Sequence, residues 1–239
     1  MISYTPDSPI QQSEQVNGFW LIQFTLQKPL PFELSIGRAF SLSEAPETPF
    51  YLFQHADNHP SQHYQFLSKK ALPPEILTRP GNLTSTNDKP TMMPAQNRAL
   101  LILGEDLAMA NGFALAKQRT NLKLEKPTLA ALASETAFPF MIKPARFLMP
   151  EMPAEAIGAC TLLEDWKIQN RLASLQGLPG CFEGDLAELF DYWTRATQPE
   201  IDQHNKPSWQ VVIFADESTQ KKCLQISQNK TWLTVQTSF

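Results

Sequence analysis

The chain has 239 residues, 42% of them hydrophobic and 18% charged, which is long enough to bury a core without a disulfide or metal staple and too apolar for a wholly disordered chain. Its 20 Lys and Arg against 24 Asp and Glu give a formal net charge of -4, so no basic excess exists to neutralise phosphates and an electrostatically driven nucleic-acid partner is excluded. Twenty Pro and only nine Gly point to short elements joined by stiff loops and leave little material for Gly-built phosphate cradles.

Met1 to Val16 has no basic start and no apolar run of signal-peptide length, and nowhere do about 18 apolar residues run together. The chain therefore reads as a soluble, cytoplasmic protein with no membrane span. Phe19–Leu26 is aromatic and β-branched and reads as a strand closed by Lys28-Pro29-Leu30-Pro31. Ala39–Leu42 and Phe50–Gln54 read as further strands separated by the turn-rich Glu44–Pro49, with His63–Phe66 as another. No convincing amphipathic helix occurs in this part, which predicts a small antiparallel barrel or sandwich. The polar, Pro-interrupted Arg79–Asn97 is the best boundary.

Behind that boundary the pattern changes. Ala99–Leu103 is the continuous apolar run of a strand buried on both faces, and Asp106–Gln118 has helical spacing. Thr128–Ala133 reads as a strand or, from its Ala and Leu content, a helix, and Ile157–Leu162 and Arg171–Leu175 read as strands. Leu186–Arg195 reads as an amphipathic helix, with Asp185 as N-cap and Glu188 at capping-box spacing. Trp209–Ala215 is the clearest strand, and Thr231–Gln236 a terminal one. Alternating strands and helices imply a parallel, doubly wound sheet. The expected fold is thus α+β in two domains: an antiparallel β-barrel over residues 1–97, then an α/β domain with a mainly parallel sheet over 98–239.

Few residues suggest chemistry. Leu100–Lys117 is strand, turn and helix with Gly104 at the turn, where helix N–H groups can hold a pyrophosphate. Glu105 and Asp106 occupy that turn in place of further Gly, and the alternative is a plain strand–helix unit capped by Asp106. His55, His59 and His63 recur every fourth residue, but His59-Pro60 breaks any helix that would align them, so a solvated loop is the expectation and no metal site is assigned. Glu164 and Asp165 follow an expected strand and either bind a ribose hydroxyl or cap the next turn. Cys181 has no neighbouring His or basic residue and reads as a structural thiol. Cys160, Cys181 and Cys223 are too few and too scattered for an iron–sulfur cluster.

The order of a small barrel and then an α/β domain resembles the ferredoxin–NADP reductase superfamily. Ala130–Trp193 is more narrowly similar to relatives of the electron-transfer subunit of dihydroorotate dehydrogenase. The segments that carry this are Phe138-Pro139-Phe140, Pro144-Ala145-Arg146-Phe147, Leu162-Leu163-Glu164-Asp165-Trp166, Arg171-Leu172-Ala173-Ser174 and Gln176-Gly177-Leu178-Pro179-Gly180-Cys181-Phe182. The resemblance implies a flavin-binding barrel and a pyridine-nucleotide-binding-type second domain. It implies FAD held by Arg38 at the phosphate and by Phe40 or Ser41 at the ring, since Arg38-Ala39-Phe40-Ser41 fits the family's Arg-x-Tyr/Phe-Ser strand. Gly104 would stand in the nucleotide loop. The family's Gly-rich loop is otherwise missing, and Ala215-Asp216-Glu217 stands where it has Cys-Gly-Pro, so weak binding of NADH or NADPH, or none, is expected. Two functions follow: a flavin-dependent oxidoreductase or electron-transfer protein with a redox protein partner, or a diverged non-catalytic relative serving as a binding or partner subunit.

Overall fold

The alternation of apolar residues in the first third of the chain builds an antiparallel sheet. The computed structural model describes residues 3–56, 63–85, 90–204 and 209–237. Strands β1 (Ser3–Tyr4), β2 (Gln11–Glu14), β3 (Trp20–Thr25), β4 (Ala39–Leu42), β5 (Ala45–Ala56), β6 (His63–Ser68) and β7 (Leu83–Ser85) lie in the order β1-β7-β4-β5-β6-β3-β2. Short helices α1 (Phe32–Ser35) and α2 (Pro74–Thr78) sit between them. The sheet closes into a barrel where the stretch after β1 meets the end of β3. There Pro6 bridges Leu26, the Asp7 N–H donates to Thr25 O at 2.8 Å, and the Gln27 N–H donates to Thr5 O at 3.0 Å. The two-residue period of each strand turns Phe24, Phe40, Phe50, Tyr64 and Phe66 into the interior, where Phe66 stacks on Phe24 at 5.1 Å and meets Phe50 and Phe40 edge-on.

Three expectations are corrected here. Glu44–Pro49 is not a separating turn, because β5 begins at Ala45 directly after the bend at Ser43-Glu44. Pro46 and Pro49 are tolerated because β6 pairs with β5 only from Phe50 onward, which leaves that side of the strand unpaired. The boundary stretch Arg79–Asn97 itself contributes a strand, since Leu83–Ser85 pairs with both β1 and β4 and Leu83 is fully buried. His55 and His63 lie on adjacent strands, and His59 lies outside the described residues.

Residues 99–237 form the second sheet. In chain order they give β8 (Ala99–Glu105), α3 (Met109–Asn121), β9 (Thr128–Ala133), β10 (Lys143–Pro144), β11 (Gly158–Ala159), α4 (Thr161–Asp165), β12 (Gln169–Ala173), α5 (Leu186–His204), β13 (Trp209–Phe214), α6 (Glu217–Ser227) and β14 (Leu233–Thr237). Five of these strands make a wholly parallel sheet in the order β12-β9-β8-β13-β14. Leu101, Leu103, Val211 and Ile213 face α5 and α6, while Leu100, Ile102 and Val212 face α3 and α4. Both faces are covered, as the uninterrupted apolar runs require. The expected α+β architecture is the one observed.

Ile157–Leu162 is not a third parallel strand. Gly158 and Ala159 pair antiparallel with Lys143 and Pro144, and Cys160 is clamped by Asn170, whose side chain accepts from Cys160 N at 2.7 Å and donates to Cys160 O at 3.2 Å. A side chain at position 158 would stand 2.8 Å from Ile142 and 2.9 Å from the Gly180 carbonyl, so the hairpin closes only around glycine. Leu186 does begin a helix, running on to His204. Its capping box forms as expected, with Glu188 N–H donating to Asp185 and Asp185 N–H to Glu188, both at 2.8 Å. Helix α6 had no counterpart in the sequence reading.

The barrel and the parallel sheet meet along α3. Phe53 is the extra residue of a β-bulge between Leu52 and Gln54, and it turns outward to meet Phe113 of α3 at 5.2 Å. The Gly37 N–H donates to Asn111 Oδ1 at 3.1 Å, and Asn17 Nδ2 donates to Phe138 O at 2.8 Å.

Candidate functional site

In an open parallel sheet the ligand crevice lies beyond the carboxyl ends of the strands, where the chain order reverses. Here that point falls between β8 and β13. A cavity of about 160 Å³ opens there, lined among others by Glu105, Ser134, Glu135, Asp185, Asp216 and Lys222. Each of the three helices starting at this edge has its first turn engaged by the chain itself. At α5, Asp185 holds the Glu188 N–H. At α6, Asp216 accepts from Thr219 N at 2.7 Å. At α3, the lead-in is a 3-10 turn over Asp106–Ala108 that binds the Met109 N–H.

Asp106 is therefore not the expected N-cap. It adopts the left-handed conformation (φ 45°), and its carboxylate accepts from Ser134 Oγ at 2.9 Å and Glu135 N at 3.2 Å. Gly104 is required by packing: a side chain there would come within 2.9 Å of Met109 Cβ and 3.0 Å of Leu132.

Charge in the crevice is arranged unevenly. Burial works against an ionised Asp185, but Lys222 at 2.8 Å and the Glu188 N–H outweigh it and hold its carboxyl below the ordinary value. Burial first, and then the charges of Asp216 and Asp106, push the Glu105 carboxyl above its ordinary 4.5, although the Thr219 hydroxyl donates to it. The sign follows directly. A carboxyl whose pKa rises on folding favours the folded state while protonated, and that contribution is lost as pH climbs from the unfolded value through the raised folded one. Glu105→Gln is expected to raise the melting temperature at pH 7 and to lose this advantage as the pH falls toward the ordinary carboxyl range. Melting curves of both proteins across that range check it.

The segment assigned to flavin by resemblance lies elsewhere, at the barrel face beside α3. Arg38 is 3% exposed, and its guanidinium donates to Glu33 O at 3.3 Å and Ile36 O at 3.5 Å. Phe40 is 2% exposed and points into the barrel, edge-on to Phe66 at 5.7 Å, so its ring does not present a face for an isoalloxazine. Strand alternation fixes this, since Phe40 shares its side of β4 with the fully buried Leu42. Ser41 lies on the other side, 3.4 Å from the Thr84 hydroxyl.

Glu164 and Asp165 belong to α4 before β12, not to the carboxyl end of a strand. Glu164 accepts from Arg146 N at 2.8 Å, Arg146 Nε at 2.9 Å and Phe147 N at 3.3 Å, so it anchors the 146–147 loop. Burial pushes the Cys160 and Cys181 thiols up to about 11 and Cys223 to about 12, which leaves all three protonated and unreactive at neutral pH.

A second cavity, of about 300 Å³, lies at the opposite, amino edge of the same sheet, between the end of α3, the start of β9 and the turn before β12. Arg119, Lys123, Lys126 and Lys167 line it, with Glu125 as its one acid, and Trp166 forms part of the wall. The sequence reading missed this group because Lys167 is distant in sequence from Arg119, Lys123 and Lys126, and those three are interspersed with polar and apolar residues and Glu125 rather than forming a basic run.

No protein-family model matches the chain, and no curated protein does either. Solved structures share its fold. A ferredoxin reductase of carbazole 1,9a-dioxygenase superposes with a TM-score of 0.60 at 12% identity, over 97% of this chain and 68% of that one. An NADH-dependent reduced ferredoxin-NADP oxidoreductase, described in connection with flavin-based electron bifurcation, gives 0.58 at 11% identity, over 100% and 78%. A mutant ferredoxin-NADP+ reductase from Plasmodium falciparum gives 0.55 at 8% identity, over 96% and 94%. The chain thus has the two-part fold of ferredoxin reductases, a barrel followed by a parallel sheet.

Proposed function

We propose that this chain is a binding or partner subunit of a redox protein, built on the ferredoxin-reductase fold and not itself using NADH or NADPH. We take residues 1–97 and 98–239 as its two domains, the cytoplasm as its location, and relatives of the dihydroorotate dehydrogenase electron-transfer subunit as its nearest lineage. The observation that carries this reading is the acidic crevice, where Asp185 and Asp216 fill the α5 and α6 N-termini and Glu105 and Asp106 flank α3. A pyrophosphate needs those N–H donors and a positive local field. At an effective dielectric near 20, each carboxylate about 4 Å from a phosphate charge opposes it by on the order of 4 kcal/mol before screening. The residues present do not fit a nicotinamide nucleotide.

Nor do they fit a flavin at the segment the resemblance names, because the Arg38 guanidinium is buried and donates to the Glu33 and Ile36 carbonyls, and Phe40 is sealed in the barrel. The competing reading, an FAD-dependent oxidoreductase, draws its support from the fold shared with ferredoxin reductases. Two measurements separate them. The protein purified without added cofactor is expected to show no flavin absorption and to retain no FAD after incubation and gel filtration. Calorimetric titration with NADPH at low ionic strength is expected to give no saturable binding in the crevice. Stoichiometric flavin, or micromolar NADPH binding that persists when Lys123, Lys126 and Lys167 are all replaced by Gln, would overturn the proposal.

A further inference from the structure

We infer that the cavity at the amino edge of the parallel sheet is a binding site for a phosphate-bearing small molecule, held by Lys123, Lys126 and Lys167 above the buried Arg119. The site is independent of the crevice, since the strands separate the two by roughly 20 Å. Its size, about 300 Å³, is that of a pocket for a small ligand.

Arg119 supplies the strongest reason. It is 4% exposed and donates only to neutral oxygens: Thr128 Oγ1 and Arg98 O at 2.9 Å, and Ala95 O at 3.4 Å. Among the described residues no carboxylate pairs with it, and burial lowers its pKa with no acid to oppose the change. Buried charges are normally paired, so a guanidinium next to an open cavity and without a counter-ion marks a place for an anion.

The surrounding cations are likewise uncommitted. Lys123, Lys126 and Lys167 form no ion pair among the described residues, and Glu125 on the same wall pairs with none of them. The C-terminus of α3 accounts for basic residues at 119 and 123, where helix carbonyls attract them. It does not account for Lys126 before β9, while Lys167, just past the C-terminus of α4, reaches the same cavity from a separate stretch of chain. Four cations against one acid is a local excess of positive charge in a chain whose net charge is -4. Three lysine ammonium groups give a flexible, multidentate grip on phosphate oxygens, while Thr128 Oγ1, already accepting from Arg119, keeps its own proton to donate.

The test is calorimetric titration of the full chain with sodium pyrophosphate and, separately, with orthophosphate, at low ionic strength. Saturable one-site binding is expected, weakened about 3- to 10-fold by each Lys→Gln replacement and abolished in K123Q/K126Q/K167Q. The lysines are exposed or half-buried and can be replaced without disturbing the core, unlike Arg119. Tighter pyrophosphate than orthophosphate binding would support the site and identify a diphosphate ligand; equal affinities would support it with a monophosphate. No saturable binding, unchanged affinity in the triple variant, or binding of poly-L-glutamate without pyrophosphate would overturn it. Asp185→Ala in the crevice is expected to leave pyrophosphate binding unchanged, so failure here and failure of the proposed function are read from different variants.

Discussion

Glu164→Ala is expected to destabilise the protein by about 3–5 kcal/mol, measured as a fall in the urea midpoint at unchanged slope. The side chain is 1% exposed and serves as the acceptor for two backbone N–H groups, of Arg146 and Phe147, and for the Arg146 guanidinium. Its loss would leave the half-buried Arg146 and Phe147 N–H groups without their shared acceptor and the 146–147 loop without its anchor. It would also remove the negative charge that offsets the burial of Arg171, whose guanidinium donates to Phe147 O and Asn170 O at 2.7 Å. Glu164→Gln keeps one acceptor oxygen and the side-chain volume but not the charge, so it should cost less, on the order of 1–2 kcal/mol. Equal losses for Ala and Gln would show that charge alone matters at this position. A loss under 1 kcal/mol for Ala would show that the 146–147 loop does not depend on it.

Phe66→Ala should cost about as much, roughly 3–5 kcal/mol, by a different mechanism. Phe66 is fully buried at the centre of the barrel, with ring centroids of Phe24 and Phe50 at 5.1 Å and Phe40 at 5.7 Å. Removing it leaves a cavity walled by strands β3, β4 and β5, which are held by their ladders and cannot collapse into the space. The neighbouring Gln65 points to the other side of β6, and Gln65→Ala is expected to stay within about 0.5 kcal/mol of the parent. A large effect at Gln65 would contradict the assigned strand facing.

Most of the parallel sheet could be read from the chain because its strands announce themselves twice, by composition and by length. Ala99–Leu103, Leu129–Ala133 and Val211–Ala215 are apolar on successive residues, and their short length between turn signals favours strands covered on both faces. The barrel was legible where side chains alternate, as in Ala39–Leu42, and illegible where pairing is one-sided, as at Pro46 and Pro49. Ile157–Leu162 misled because its composition is that of a strand, while its path is set by a distant glycine contact and by Asn170, neither visible locally. Helix α6 escaped because only Thr219, Gln220 and Cys223 of its residues are buried, which gives no apolar stripe.

The site was legible in part. The acidic character of Glu105, Asp106 and Asp216 was evident in the sequence, but the contribution of Asp185 to the same crevice depends on how α5 approaches β13 and β8. Arg38 and Phe40 show the opposite case. Their spacing matched a flavin strand, but burial of both side chains depends on the barrel's closure and on α3 lying across its face.

That closure carries a kinetic consequence. A cylinder of strands joined at one side by the bridge Pro6 to Leu26, two flanking backbone bonds and the Thr25 N–H bond to Ser8 Oγ has a seam that should part while every other ladder stays intact. The Asp7 and Gln27 amides should therefore exchange with deuterium through a local opening of low free energy, whereas those of Leu21 and Phe66 should exchange only with global unfolding. The stretch after β1 would then act as a latch on an otherwise persistent seven-stranded arc, and its exchange rate would respond little to denaturant.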